Sequence, residues 1–163
     1  MNSIFKQQAR SLLGKFALIL VLCGVGGCFL KPIPHSDYRP IHQACGNCDL
    51  QTVTMILATN SAALNLRDDA GRGPLHIASS RCCTNVIEFL LKRGAKIELK
   101  GNAGETPLHV AAQEGCVEGV RMLVAKGADI DARDKQGHTP LKRAIDYQQN
   151  DTAELLRNLG AKE

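Results

Sequence analysis

GETPLHVAAQEGCVEGVRMLVAKGADIDAR, residues 104–133, decides the fold. Pro107 suits the first turn of a helix, where its missing N–H costs nothing, and Thr106 before it is a natural N-cap. Apolar residues then return at helical spacing through Leu108, Val110, Ala111 and Ala112 until Gly115, a residue suited to a left-handed stop. A second apolar set follows at Val117, Val120, Leu123 and Val124, and Gly127 ends it in the same way. The stretch is one helix–turn–helix unit, too small to bury its own apolar face.

Its neighbours are in the chain. Pro74 opens PLHIA 33 residues before Pro107, Pro140 opens PLKRA 33 residues after it, and Pro40 opens PIHQA 34 residues before Pro74. Counted from each proline, positions +13, +16 and +17 hold Val53, Ile56, Leu57; Ile87, Leu90, Leu91; Val120, Leu123, Val124; and Ala153, Leu156, Arg157. Position +20 holds Asn60, Gly94, Gly127 and Gly160, and Asn is the best non-glycine occupant of a left-handed site, so all four are expected there. Alanine recurs at +4 (Ala44, Ala78, Ala111, Ala144), where helices approach closely. A period near 33 sustained four times marks a repeat array.

These residues resemble the ankyrin-repeat family: TPLH at Thr106–His109, TPL at Thr139–Leu141, PLH at Pro74–His76, GADI at Gly127–Ile130 and GAKI at Gly94–Ile97. The resemblance covers about residues 39–163 and implies an all-α, elongated solenoid of about four helix–turn–helix repeats, near 39–68, 69–100, 101–133 and 134–163. Hairpin-like fingers are expected at about 59–73, 94–106 and 127–139. Arg39 and Gly73 stand where the family has Thr, and Lys142 where it has His. At Arg39 and Lys142 such departures suit terminal repeats, which have one solvated side.

The N-terminal segment reads differently. Lys6, Arg10 and Lys15 precede an apolar run from Phe16 to Val25, too short for an ordinary spanning helix and suited to an export signal. The run ends Val25-Gly26-Gly27-Cys28, which resembles the bacterial lipobox. That resemblance implies a lipoprotein signal peptide over 1–27, lipid on Cys28 and a tether over 28–38, where Pro32 and Pro34 favour extended chain. Phe29 after Cys28, in place of Asp, points under bacterial sorting to the periplasmic face of an outer membrane. Without residues 1–27 the formal charge falls from +4 to +1, so the basicity belongs to the leader and no basic patch for nucleic acid survives.

His42, His76 and His109 recur at +2 and read as structural. Equivalent residues of stacked helices stand about 8–10 Å apart, too far to share one metal whose ligands lie within about 2.1 Å. Asp129, Asp131 and Asp134 read as a solvated turn. Cys45 and Cys48 form a CxxC, Cys82 and Cys83 are adjacent, and Cys116 stands alone. Cys48 and Cys82 share +8 and Cys83 and Cys116 share +9, all at turns between paired helices. In an exported chain Cys45, Cys48, Cys82 and Cys83 are candidates for disulfide bonding, and the odd count leaves a thiol over. No catalytic residue, cofactor or metal site is expected: the chain has no P-loop, Rossmann fingerprint or HExxH, and its CxxC lacks a βαβ context.

The resemblance therefore implies a monomeric, non-enzymatic protein-binding module held at a membrane through Cys28, acting in immunity against a toxin or in stress protection. A thiol redox or metal-binding protein built on Cys45, Cys48, Cys82 and Cys83 is the alternative. Family partners touch finger tips and exposed first-helix positions, here −5, −4, −2, +6 and +7. These are Asp69, Ala70, Arg72, Ser80 and Arg81; Asn102, Ala103, Glu105, Gln113 and Glu114; and Lys135, Gln136, His138, Asp146 and Tyr147. Both charge signs occur, which fits a protein better than a polyanion.

Overall fold

The computed structural model describes residues 39–162; the leader, Cys28 and the tether lie outside the described residues. Eight α-helices come in four pairs, with no strand among the described residues. They are α1 (Arg39–Gly46) with α2 (Leu50–Thr59), α3 (Pro74–Ser80) with α4 (Thr84–Lys92), α5 (Pro107–Gln113) with α6 (Val117–Ala125), and α7 (Pro140–Asp146) with α8 (Asn150–Asn158). First helices pack on first helices of the adjoining pairs, and second helices on second helices, which makes the chain an all-α repeat solenoid.

Each pair closes on a left-handed residue at +8: Cys48 (φ 56°), Cys82 (53°), Gly115 (74°) and Gln148 (58°). The next N–H returns to the +4 carbonyl in every repeat, from Asp49 to Ala44, Cys83 to Ala78, Cys116 to Ala111 and Gln149 to Ala144, at 2.8–3.0 Å. The sequence announces this turn only at Gly115. The other three side chains bear a cost of roughly 1–2 kcal/mol each because the turn is imposed by the pairs on either side of it.

At the far ends, Gly94, Gly127 and Gly160 are left-handed, but Asn60 is not. Its φ is −143°, extended backbone, and its side chain accepts the Ala62 N–H at 3.1 Å to start a 3-10 turn over Ser61–Asn65 that buries Ala63. The expected left-handed Asn60 is thus corrected: its amide oxygen caps a new turn, and the first finger contains a short helix.

The +4 alanines are buried, and Leu90 and Leu123 are fully so. Each such leucine stabilises the fold by about 1.5–3 kcal/mol. The +2 histidines tie one repeat to the next. The Nε2 atoms of His42, His76 and His109 reach the carbonyl oxygens of Arg72, Glu105 and His138 at 3.0–3.1 Å. For His76 and His109 the Nδ1 atoms accept the N–H groups of Gly73 and Thr106. A carbonyl can only accept and an N–H can only donate, so both rings are neutral with the proton on Nε2. Burial lowers both pKa values and outweighs the opposing pull of the carbonyls. Lys142, the +2 residue of the last pair, has no following finger among the described residues. It is exposed and pairs with Asp146 at 2.6 Å.

Candidate functional site

Two aspartates at −6 hold finger bases. Asp68 accepts the N–H groups of Ala70 and Arg72 and binds the Arg72 guanidinium at 3.0 and 3.1 Å. Asp134 accepts those of Gln136 and His138 and binds Arg143 at 2.6 and 3.0 Å, with its own side chain fully enclosed. Burial alone would raise the Asp134 pKa. The Arg143 hydrogen bonds, the two backbone amides and the Arg143 charge outweigh it and hold the carboxyl below its ordinary range. The finger between them has Gly101 at −6. The Glu105 side chain folds over that position, and its Oε1 stands where a Gly101 Cβ would be. Its Oε2 is buried without a hydrogen-bond partner among the described residues.

The tips are also joined. Asn102 N–H donates to the Ala70 carbonyl and its side-chain amide to that of Asp69, while Lys135 N–H donates to Ala103. Gly104 (φ 82°) permits this approach, since a Cβ there would stand 2.8 Å from Lys135 N. Several predicted contact residues are therefore engaged in the fold. Asn102 and Arg72 hold fingers, the Ser80 hydroxyl donates to the Ile77 carbonyl, and Asp146 pairs with Lys142. Arg72, Ser80, Glu105, Gln113 and His138 are half-buried, and Gln113 donates to Glu114. Asp69, Arg81, Asn102, Glu114, Lys135, Asp146 and Tyr147 are exposed. Among these the side chains of Arg81, Lys135 and Tyr147 make no hydrogen bond or ion pair with described residues. The +7 positions Arg81, Glu114 and Tyr147 form an exposed row, with Tyr147 51% exposed. An open concavity of about 470 Å³ lined by Arg67, Lys96, Ile97, Glu98, Leu99 and Lys100 shares no residue with this set.

The turns between paired helices, away from the finger tips and directly after the +7 row, carry the sulfur. Cys48 is bonded to Cys83 and Cys82 to Cys116, with Cα separations of 5.1 and 5.4 Å. Each bond runs from +8 of one repeat to +9 of the next. Cys45 leaves the set of bonding candidates: it is fully buried in α1 with a free thiol, and Cys116 takes a place in its stead. Burial pushes the Cys45 pKa up to about 12, so it holds no thiolate at neutral pH. The CxxC is therefore no dithiol pair in the folded chain. No group of three or more His, Cys, Asp or Glu residues that could hold a metal occurs among the described residues. Cys116 and Arg143 were not read as partners from sequence. The +8/+9 register held the signal for Cys116; nothing marked Arg143, which reaches Asp134 from +3.

The family model described as ankyrin repeats (3 copies) matches residues 12–101, 41–134 and 97–163. The first range begins ahead of the apolar run read as a leader. No curated protein matches the chain.

Proposed function

The chain belongs to the ankyrin-repeat family, and on that footing we propose that it is an exported, membrane-anchored module that binds a protein through its fingers and first-helix ends. The observation that carries the reading is the +7 row: Arg81, Glu114 and Tyr147 are exposed at one repeat position, and Arg81 and Tyr147 have no structural task among the described residues. Arg and Tyr are enriched among interface residues whose loss weakens binding. Two disulfides between repeats support an oxidising compartment. The lipobox resemblance at Val25–Cys28 supports a lipid anchor, and Phe29 supports the periplasmic face of an outer membrane. Covering a partner's surface would serve either immunity, by blocking a toxin, or protection of an envelope component.

The thiol redox reading has less support, since Cys48 is bonded and Cys45 is enclosed and protonated. The test is capture from a bacterial envelope extract by the full chain, with Arg81→Ala and Tyr147→Ala against Lys92→Ala on a second helix. The reading expects a captured protein that the first two substitutions release and the third does not. A thiol-dependent activity with no captured protein would replace it with the redox reading.

A further inference from the structure

Cys45, Cys48 and Cys83 meet at the end of α1. Cys48 N–H donates to the Cys45 carbonyl at 3.3 Å, and Cys83 Sγ lies 3.2 Å from the same oxygen. That second approach is a contact, because a disulfide sulfur has no proton to give. The equivalent +5 positions of the next two repeats hold Ser79 and Ala112, both fully buried, so packing requires only a small side chain and does not account for a thiol.

The native bonds span 35 and 34 residues. In the unfolded chain Cys45 and Cys48 close a far shorter loop than the 35-residue native one, and loop-closure entropy favours the shorter. Adjacent Cys82 and Cys83 do not compete well, since neighbouring Cα atoms stand about 3.8 Å apart and disulfides prefer about 4.4–6.8 Å.

We propose that Cys45–Cys48 is the first bond the chain makes and that Cys83 then displaces Cys45 from it. In the first step the two thiols give two electrons and two protons to an external protein or small-molecule disulfide, which becomes two thiols. In the second, the Cys83 thiolate attacks Cys48 Sγ. The Cys48–Cys83 bond forms, the Cys45–Cys48 bond breaks, and Cys45 leaves with the electron pair and takes up a proton; no further oxidant is used. Packing of the second repeat on the first then encloses Cys45, and a buried, protonated thiol does not reverse the exchange. The CxxC is thus where a thiol–disulfide oxidoreductase would load oxidation into the chain, and Cys45 is the leaving group of the exchange.

The experiment uses the full chain with Cys23→Ala and Cys28→Ala, reduced, unfolded, and oxidised with glutathione disulfide at pH 8. Samples are acid-quenched over time and their disulfides mapped by mass spectrometry. The expected result is a Cys45–Cys48 species that rises first and decays as Cys48–Cys83 grows. Cys45→Ser places at +5 the side chain that Ser79 already supplies in the second repeat. In that variant the same final bonds should form, with the Cys48–Cys83 bond slower to appear because Cys48 is then loaded only as a reversible mixed disulfide with glutathione. Cys48–Cys83 rising with no earlier Cys45–Cys48 species overturns the proposal. So does Cys45→Ser reaching it at the parental rate. Because the parental time course decides on its own, a Cys45→Ser chain that fails to fold leaves the test intact.

Discussion

His109 Nε2 donates its proton to the carbonyl oxygen of His138 at 3.0 Å, from the first helix of one repeat to the finger of the next, while its Nδ1 accepts the Thr106 N–H. One neutral ring therefore satisfies a helix start and an inter-repeat contact together. His109→Ala leaves a buried donor and a carbonyl unpaired and should destabilise the domain by about 2–4 kcal/mol in urea unfolding.

The same geometry sets a pH dependence. His76 and His109 have folded pKa values below the ordinary 6.5. As pH falls below about 6.5 the unfolded chain takes up these protons first, so their stabilisation is complete above that pH and is lost towards the depressed folded values. Asp68 and Asp134, also depressed, lose theirs only in the more acidic carboxylate range. The urea midpoint should fall between pH 7.5 and pH 5.5, and fall less in His109→Ala. A midpoint that rises over this range contradicts the neutral assignment.

Leu123 is fully buried in α6. Leu123→Ala should cost about 2–5 kcal/mol, the spread reflecting how far the site collapses. That is a large share of an ordinary total of about 5–15 kcal/mol, so a clear drop in melting temperature is expected.

The disulfide ladder stops where Gly115 holds +8 and Gln149 holds +9, and a Cβ on Gly115 would run into Gln149 Oε1. Gly115 already has the left-handed backbone that Cys48 and Cys82 adopt. The double substitution Gly115→Cys, Gln149→Cys should therefore form a third rung and stabilise by about 2–4 kcal/mol, while Cys82→Ser with Cys116→Ser should lose a similar amount. Peptide mapping and urea midpoints with and without reductant check both. A new pair that stays reduced in the folded protein refutes the register.

The proline register made the helix pairs and their core legible, because +4, +13 and +16 are set by one periodic requirement: burial against both neighbours. It failed at Asn60, whose side chain had two local uses, and the cap won over the left-handed turn. It also could not show that Cys48, Cys82 and Gln148 take the Gly115 turn, since only the glycine advertises it. Among the predicted contact residues, exposure at +7 was readable. The engagement of Arg72 and Asn102 in holding fingers was not, because it depends on the neighbouring carboxylate or carbonyl brought close by folding.

Arg81 and Tyr147 occupy +7 in the second and fourth repeats with Glu114 between them, so a partner reaching both must cross the third repeat. If both are anchors, each alanine substitution should weaken binding by at least about 1–2 kcal/mol, roughly 5- to 30-fold in Kd. The thermal midpoint should not move, because neither side chain holds anything among the described residues. Lys92 offers the matched control: it is exposed on α4 and, among the described residues, pairs with Glu88 at 2.7 Å, an exposed contact worth little. Asn102→Ala should behave differently, lowering stability through the lost amide contact to Asp69 whether or not it touches the partner. Binding by titration calorimetry and melting of the same samples separate the two classes. If Lys92→Ala weakens binding while Arg81→Ala and Tyr147→Ala do not, the partner lies on the second helices and the +7 row is only a solvated face.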